Sequence, residues 1–186
     1  RPVDEGFVEA MNTAAKALCE EGEGAVLAYV QSDEISVLVH NYRRLASEPW
    51  FRNESQKMVS VGASVASVAM TLASGRIFRE PRPAHFDGRA FVLPEAEVCN
   101  YFVWRQQDAT RNSIQMLAQS LYSPRELHGK HTGELQELTW QKGHNWNDLP
   151  TSQKRGRCIV RETYEIAEGV VRSRWVVDNE PPIFTK

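Results

Sequence analysis

Cysteine is scarce in this chain: Cys19, Cys99 and Cys158 are the whole complement. They lie far apart and are odd in number. They therefore form neither a metal-ligand spacing nor a disulfide framework, and a reducing, cytoplasmic compartment is expected. Excess charge is missing too. A net charge of −2 argues against a globally basic nucleic-acid binder and leaves any basic surface local. There is no long hydrophobic run: the least polar stretch, Val59 to Leu72, is short for a membrane span and broken by Ser and Gly. No signal-peptide pattern is visible, and no membrane partner is expected. Repeats, low-complexity segments and convincing linkers are also lacking, so residues 1–186 read as a single domain with a C-terminal extension. What is present is an ordinary globular composition, 41% apolar and 25% charged.

The most informative stretch is Gln31-Ser32-Asp33-Glu34. It separates Ala25-Val26-Leu27-Ala28-Tyr29-Val30 from Ile35-Ser36-Val37-Leu38-Val39, two short runs rich in β-branched residues. The pattern predicts a β-hairpin with a four-residue acidic tip. Adjacent carboxylates repel unless a positive charge lies nearby, and a hard cation such as Mg²⁺ is the usual remedy; a merely solvated tip is the plainer alternative.

Around the hairpin the pattern is helical. Phe7, Met11, Ala14 and Leu18 mark a helix over Asp4 to Glu21. Gln56 to Leu72 forms another, with Met58, Val61, Val65, Val68 and Leu72 as its expected buried face. Lys57 lies in its first turn, where a helix N-terminus favours anions. Phe86 to Leu93 reads as a strand carrying Asp87-Gly88-Arg89, followed by a long helix from Pro94 to about Leu121. Ser123-Pro124-Arg125-Glu126 fits a helix start, and Gly133 to Gln141 suits a further helix. Lys142, His144, Lys154, Arg155 and Arg157 surround Trp146 in the densest basic and aromatic cluster of the chain, which reads as a loop. Cys158 to Tyr164 and Val170 to Val177 form a closing hairpin. The order of elements is one strand short of a ferredoxin-like βαββαβ unit. The chain opens at Arg1 without Met, so the missing strand is expected upstream.

Several stretches carry a resemblance in order and spacing: Arg1-Pro2-x-Asp4, Ala28-Tyr29-x-Gln31-Ser32-Asp33-Glu34-x-Ser36, Trp50-Phe51 with Lys57, and Ser60 with Ser64. They continue with Phe86-Asp87-Gly88-Arg89, Trp104-Arg105-Gln106-x-Asp108, Asn112, and Asn147 to Gln153-Lys154-Arg155-Gly156. Over Arg1 to about Arg161 the chain resembles the tRNA-His guanylyltransferase family and its relatives, the 3′-to-5′ polymerases of tRNA 5′ ends.

The resemblance implies an α+β fold with a polymerase-palm, ferredoxin-like core, and a nucleotidyltransferase using two Mg²⁺ ions, ATP and GTP. Asp33 is then the second metal-binding aspartate, with Glu34 supporting it and the first aspartate upstream of Arg1. Arg1, Asp4, Ser32, Lys57 and Ser60 are implied near the nucleotide. Arg89, Arg105, Asn112, Lys142, Lys154 and Arg155 are implied on the RNA. Asp87-Gly88-Arg89 has its own place in the family pattern and is read as a structural or RNA-facing turn. Where eukaryotic members carry His-Ile-Asn-Asn, this chain has Thr110-Arg111-Asn112-Ser113. That departure points to the prokaryotic or viral branch, which repairs truncated tRNA 5′ ends. Expected partners are tRNA and nucleoside triphosphates, and the expected assembly is a homotetramer. A nucleotidyl cyclase-like palm enzyme and a catalytically silent tRNA-binding module are the alternatives.

Overall fold

The computed structural model describes residues 3–41 and 47–185. Arg1 and the Arg43-Arg44 pair lie outside the described residues. The apolar stripe expected at the start forms α1 (Glu5–Glu21), which Gly22 ends by donating its N–H to the Leu18 carbonyl. The two β-branched runs pair antiparallel as β1 (Ala25–Gln31) and β2 (Glu34–Val39), in register from Gln31 opposite Glu34 to Leu27 opposite Leu38, with a shift before Ala25 opposite Val39. Pairing therefore reaches further than the sequence suggested, and the tip is a two-residue loop. α2 (Ser55–Phe78) runs past its expected end at Leu72.

The C-terminal hairpin, β3 (Arg157–Ala167) and β4 (Val170–Asp178), joins the first to make a sheet of order β2-β1-β3-β4. Although no linker is visible in the sequence, the chain groups into two compact units. One holds Glu5–Leu93 with Cys158–Asp178; the other holds Pro94–Arg157 with the flanking terminal segments.

In the sheet-bearing unit, small residues set the packing. Ala10, Ala14 and Ala15 of α1 are fully buried, as are Ala28, Val30 and Ile159 of the sheet. Met70 and Ala73 of α2 join the same cluster. A Cβ added at Gly6 would stand 2.7 Å from the Ile77 side chain and 2.9 Å from that of Phe78. Any larger residue there would have to displace both side chains. α2 passes for a membrane span by length and composition, yet its alanines and Met70 pack against α1. This corrects the expected buried face of α2. Val68 and Leu72 are each 58% exposed, because the side turned to α1 is the small-residue side.

A second correction concerns Phe86 to Leu93, which joins no ladder and is not a strand. The backbone N–H groups of Arg82, Ala84 and Phe86 donate instead to hydroxyls of α2: Ser74 Oγ at 2.8 Å, Thr71 Oγ1 at 3.1 Å and Ser67 Oγ at 3.0 Å. Those hydroxyls fall on one helix face. Pro81 and Pro83, having no N–H, suit a segment bonded only at alternate positions. The βαββαβ order is thus not reproduced among the described residues. The strands beyond β2 and β1 come from the C-terminal hairpin.

The other unit is helical: α3 (Glu95–Gln119), α4 (Pro124–Leu127), α5 (Thr132–Gln141) and α6 (Thr151–Arg155), with a 3-10 turn at Trp146–Asp148. The stretch read as a loop is therefore partly helical. Ser123 and Glu126 form the capping box the sequence announces. Ile114, Ala118 and Leu135 make the core, with Leu127 and Trp146 packed on it. Gln106, 4% exposed, clamps the C-terminal tail. Its Nε2 donates to the Pro182 carbonyl at 2.9 Å, and its Oε1 accepts from Phe184 N–H at 2.8 Å.

Gln106→Ala should therefore cost about 2 kcal/mol, roughly 1 for each of the two hydrogen bonds removed. It should also make the tail beyond Pro182 protease-sensitive; denaturant unfolding and limited proteolysis check both. Burial pushes the thiols of Cys19 and Cys158 from 9.0 up to about 12, whereas Cys99 is exposed. Maleimide should label Cys99 alone in the folded protein. Because the folded thiols ionise later than unfolded ones, their contribution to stability is intact below pH 9 and is lost as pH rises from 9 toward 12. An alkaline unfolding series reads this directly.

Candidate functional site

The hairpin tip divides its two carboxylates between different tasks. Ser32, with φ 46°, takes the left-handed conformation that closes the loop. Glu34 is half-buried at the first position of β2. Its Oε2 accepts from Gln31 Nε2 at 3.2 Å, and its Oε1 from Ser36 Oγ at 3.3 Å. Asp33 is exposed, and among the described residues no ion pair holds it. Gln31 is 4% exposed, and its Oε1 is buried without a hydrogen-bond partner. An orphaned amide oxygen and an exposed carboxylate two residues further along the chain are both oxygen donors of the kind a hard cation takes. In number the set is incomplete. Among the described residues no group of three or more His, Cys, Asp and Glu side chains could hold a metal ion.

The start of α2 lies in the same unit. Ahead of it Phe51, Arg52 and Asn53 take φ values of 48°, 53° and 63°, three consecutive left-handed residues that each store about 1–2 kcal/mol. The bend stacks Trp50 on Phe51 at 5.2 Å between ring centroids and brings Lys57 Nζ to 4.8 Å from the Phe51 ring. Lys57 thus lies in the first turn of α2, at a helix N-terminus whose dipole favours negative charge. Ser60 donates its hydroxyl to the Lys57 carbonyl at 3.3 Å, which leaves its oxygen able to accept but not to donate. Asp4 is exposed, immediately before α1.

Gly88 places Asp87-Gly88-Arg89 against α2: a Cβ there would lie 3.2 Å from both the carbonyl oxygen and the side chain of Val59. The motif is a close backbone approach. Its Asp87–Arg89 pair at 4.0 Å is almost fully exposed and contributes little.

In the helical unit the implied RNA contacts are largely occupied. Arg105 is 9% exposed, with its guanidinium 3.4 Å from the Trp104 ring centroid and 3.7 Å from Asp108. Asp108 also accepts from Arg111 Nη2 at 2.6 Å, so its role is to tie one face of α3. Asn112, half-buried, lies one turn further along α3. Lys142 Nζ donates to the Leu121 carbonyl at 2.6 Å and lies 3.8 Å from the Tyr122 ring. Lys154 Nζ donates to the Asn147 carbonyl at 2.6 Å, beside Trp146. Trp146 Nε1 in turn donates to Ser113 Oγ at 2.9 Å. Arg155 is half-buried at the end of α6. The sequence reading missed Gln31, Gln106 and Ser113 as organisers, although all three lie inside stretches it singled out.

Residues 1–94 match the sequence pattern of the family described as tRNAHis guanylyltransferase. A solved bacterial tRNA(His) guanylyltransferase-like protein in complex with ATP is 45% identical and superposes with a TM-score of 0.90, covering 98% of this chain and 76% of that one. A bacterial tRNA(His) guanylyltransferase-like protein solved with GTP is 44% identical, with a TM-score of 0.81, over 98% of this chain and 74% of that one. tRNA(His) guanylyltransferase 2 of Arabidopsis thaliana is 29% identical over 97% of this chain, which spans only 35% of that relative's length. The fold is accordingly α+β and palm-like. Both the acidic hairpin tip and the basic first turn of α2 lie within the matched residues, and the chain belongs to the tRNA(His) guanylyltransferase family.

Proposed function

We propose that this chain carries the nucleotidyl-transfer chemistry of an enzyme that adds nucleotides to the 5′ end of tRNA in the 3′-to-5′ direction, guided by the opposing strand. The observation that carries the reading is the likeness, over nearly the whole chain, to bacterial proteins solved with ATP and with GTP. ATP first adenylylates a 5′-monophosphorylated tRNA end, forming a phosphoanhydride and releasing pyrophosphate. The 3′-hydroxyl of an incoming nucleoside triphosphate, GTP among them, then attacks the 5′ α-phosphorus, and AMP leaves. An end that already bears a triphosphate needs only the second stage.

In this reading Asp33 holds Mg²⁺, and Glu34 keeps the loop in shape through Gln31 and Ser36. Bound magnesium would neutralise charge on the reacting phosphate. Lys57 and the first turn of α2 take the triphosphate, with Ser32 and Ser60 of the same unit near the nucleotide. Lys154 uses one of its three ammonium donors internally, so it and Arg155 can still face phosphate, as can Lys142 in the same unit. Cytoplasmic placement and assembly as a homotetramer belong to the same reading. The lone free carboxylate at the tip favours, as a second reading, a tRNA-binding module without turnover.

Incubation with Mg²⁺, labelled nucleoside triphosphates and a 5′-truncated tRNA separates the cases. Extension at the 5′ end is the expected product; a cyclic nucleotide would mark a cyclase, and binding without turnover the silent module. Asp33→Ala should reduce extension to background while changing stability by no more than about 0.5 kcal/mol, since the side chain touches no core residue. Retained extension would refute the metal role. Replacing Lys154 and Arg155 together with Ala should weaken tRNA binding. It should also lower the salt slope of binding by about 0.9 for each phosphate that is no longer neutralised. Identical slopes would remove both residues from the RNA interface.

A further inference from the structure

α5 turns Leu135 and Thr139 inward, and this leaves Gly133, Gln136, Glu137 and Trp140 together on its outer face at helical spacing. Facing them is the turn Asn145-Trp146-Asn147, fixed by the Trp146 bond to Ser113 and by the Lys154 bond to the Asn147 carbonyl. Between the two walls is a hollow of about 250 Å³. That is less than the roughly 300–1,000 Å³ of drug-sized pockets and suits one planar ring system.

The lining is specific in its chemistry. Trp140 is 60% exposed, so its indole face is open to a stacking partner. Among the described residues, the side-chain amides of Gln136 and Asn147 make no hydrogen bond. Asn145 is already committed, its Oδ1 to Asn147 N–H and its Nδ2 to Asp148. Glu137 accepts from Gln141 Nε2 on Oε1 at 3.1 Å, and its other carboxylate oxygen can accept from a ligand. No lysine or arginine lines the hollow. A phosphate would meet the Glu137 charge with nothing to offset it, whereas the amino-bearing edge of a base would find a charged acceptor and two amides.

We infer that this hollow binds a single unpaired nucleobase of the RNA, one bearing an exocyclic amino group, stacked on Trp140 with its edge on Glu137, Gln136 and Asn147. The inference rests on the RNA-directed function proposed above and adds to it a base contact independent of the hairpin tip. Gly133 supplies the clean probe. A Cβ there meets nothing within 4 Å, so Gly133→Leu fills the hollow without straining α5.

The test uses the full chain, labelled with ¹⁵N, and follows its indole N–H resonances. Nucleosides rather than nucleotides are titrated, so that a triphosphate site does not respond. Cytidine at millimolar concentration should move the Trp140 resonance, and uridine should move it far less. In Gly133→Leu the shift should vanish while Trp104 and Trp175, which do not line the hollow, keep their positions, which reports an intact fold. No movement of Trp140, or equal movement with uridine, overturns the inference. With tRNA, Trp140→Ala and Gly133→Leu should each bind about tenfold more weakly, as expected for one stacked base. Unchanged tRNA affinity in both variants overturns the base site and leaves the proposed function standing. If the unaltered chain binds no tRNA while cytidine still moves Trp140, the proposed function falls and the base site stands.

Discussion

The close approach of α1 and α2 is the constraint on which the sheet-bearing unit depends. Glycine and alanine at the contact bring the two backbones within reach of dense packing, and no larger residue fits at Gly6 without moving Ile77 and Phe78. Once α2 is committed to α1 by its small-residue side, its hydroxyl face is free to hold the segment from Arg82 to Phe86. The same commitment brings the first turn of α2, with Lys57, into the unit that bears the acidic hairpin. A function that needs a carboxylate and an anion-binding helix end in one unit is therefore supported by helix packing rather than by any direct bond between them.

Electrostatics divides the hairpin tip in a way its sequence does not reveal. Two adjacent carboxylates share one turn, yet Glu34 is absorbed by the amide of Gln31 and the hydroxyl of Ser36, and Asp33 is left to solvent. Because β-pairing begins at Glu34, that side chain is held over the strand while its neighbour sits in the loop. A fixed carboxylate organises; a free one can take a cation.

In the helical unit, the positive side chains that suggested an RNA surface are mostly engaged with carbonyl oxygens and aromatic faces of the protein itself. Lys142 closes the end of α3, Lys154 ties α6 to the Trp146 turn, and Arg105 is buried against Trp104 and Asp108. Cations used this way make the helices rigid, and rigid helices present the outward-facing Trp140 and its neighbouring amides in a fixed arrangement. Recognition of RNA here would then combine shape and stacking with charge rather than rely on charge alone.

Much of this was legible in the sequence. The helix of residues 5–21, both hairpins, the capped start at Ser123 and the acidic tip follow from local periodicity and turn chemistry, which act over a few neighbouring residues. The motif order likewise carried the family. Tertiary structure decided what depends on partners distant in the chain. Phe86 to Leu93 has strand composition but joins no ladder, the chain entering it being bonded to α2 hydroxyls from Arg82 to Phe86, and Val68 and Leu72 lie on an apolar stripe that small residues displaced from the core. The basic cluster around Trp146 became a set of internal bonds. Sequence determines which groups a residue can offer; only the folded chain decides which of them are used internally and which are left for a ligand, because a hydrogen bond or a buried contact made with the protein is withdrawn from everything else.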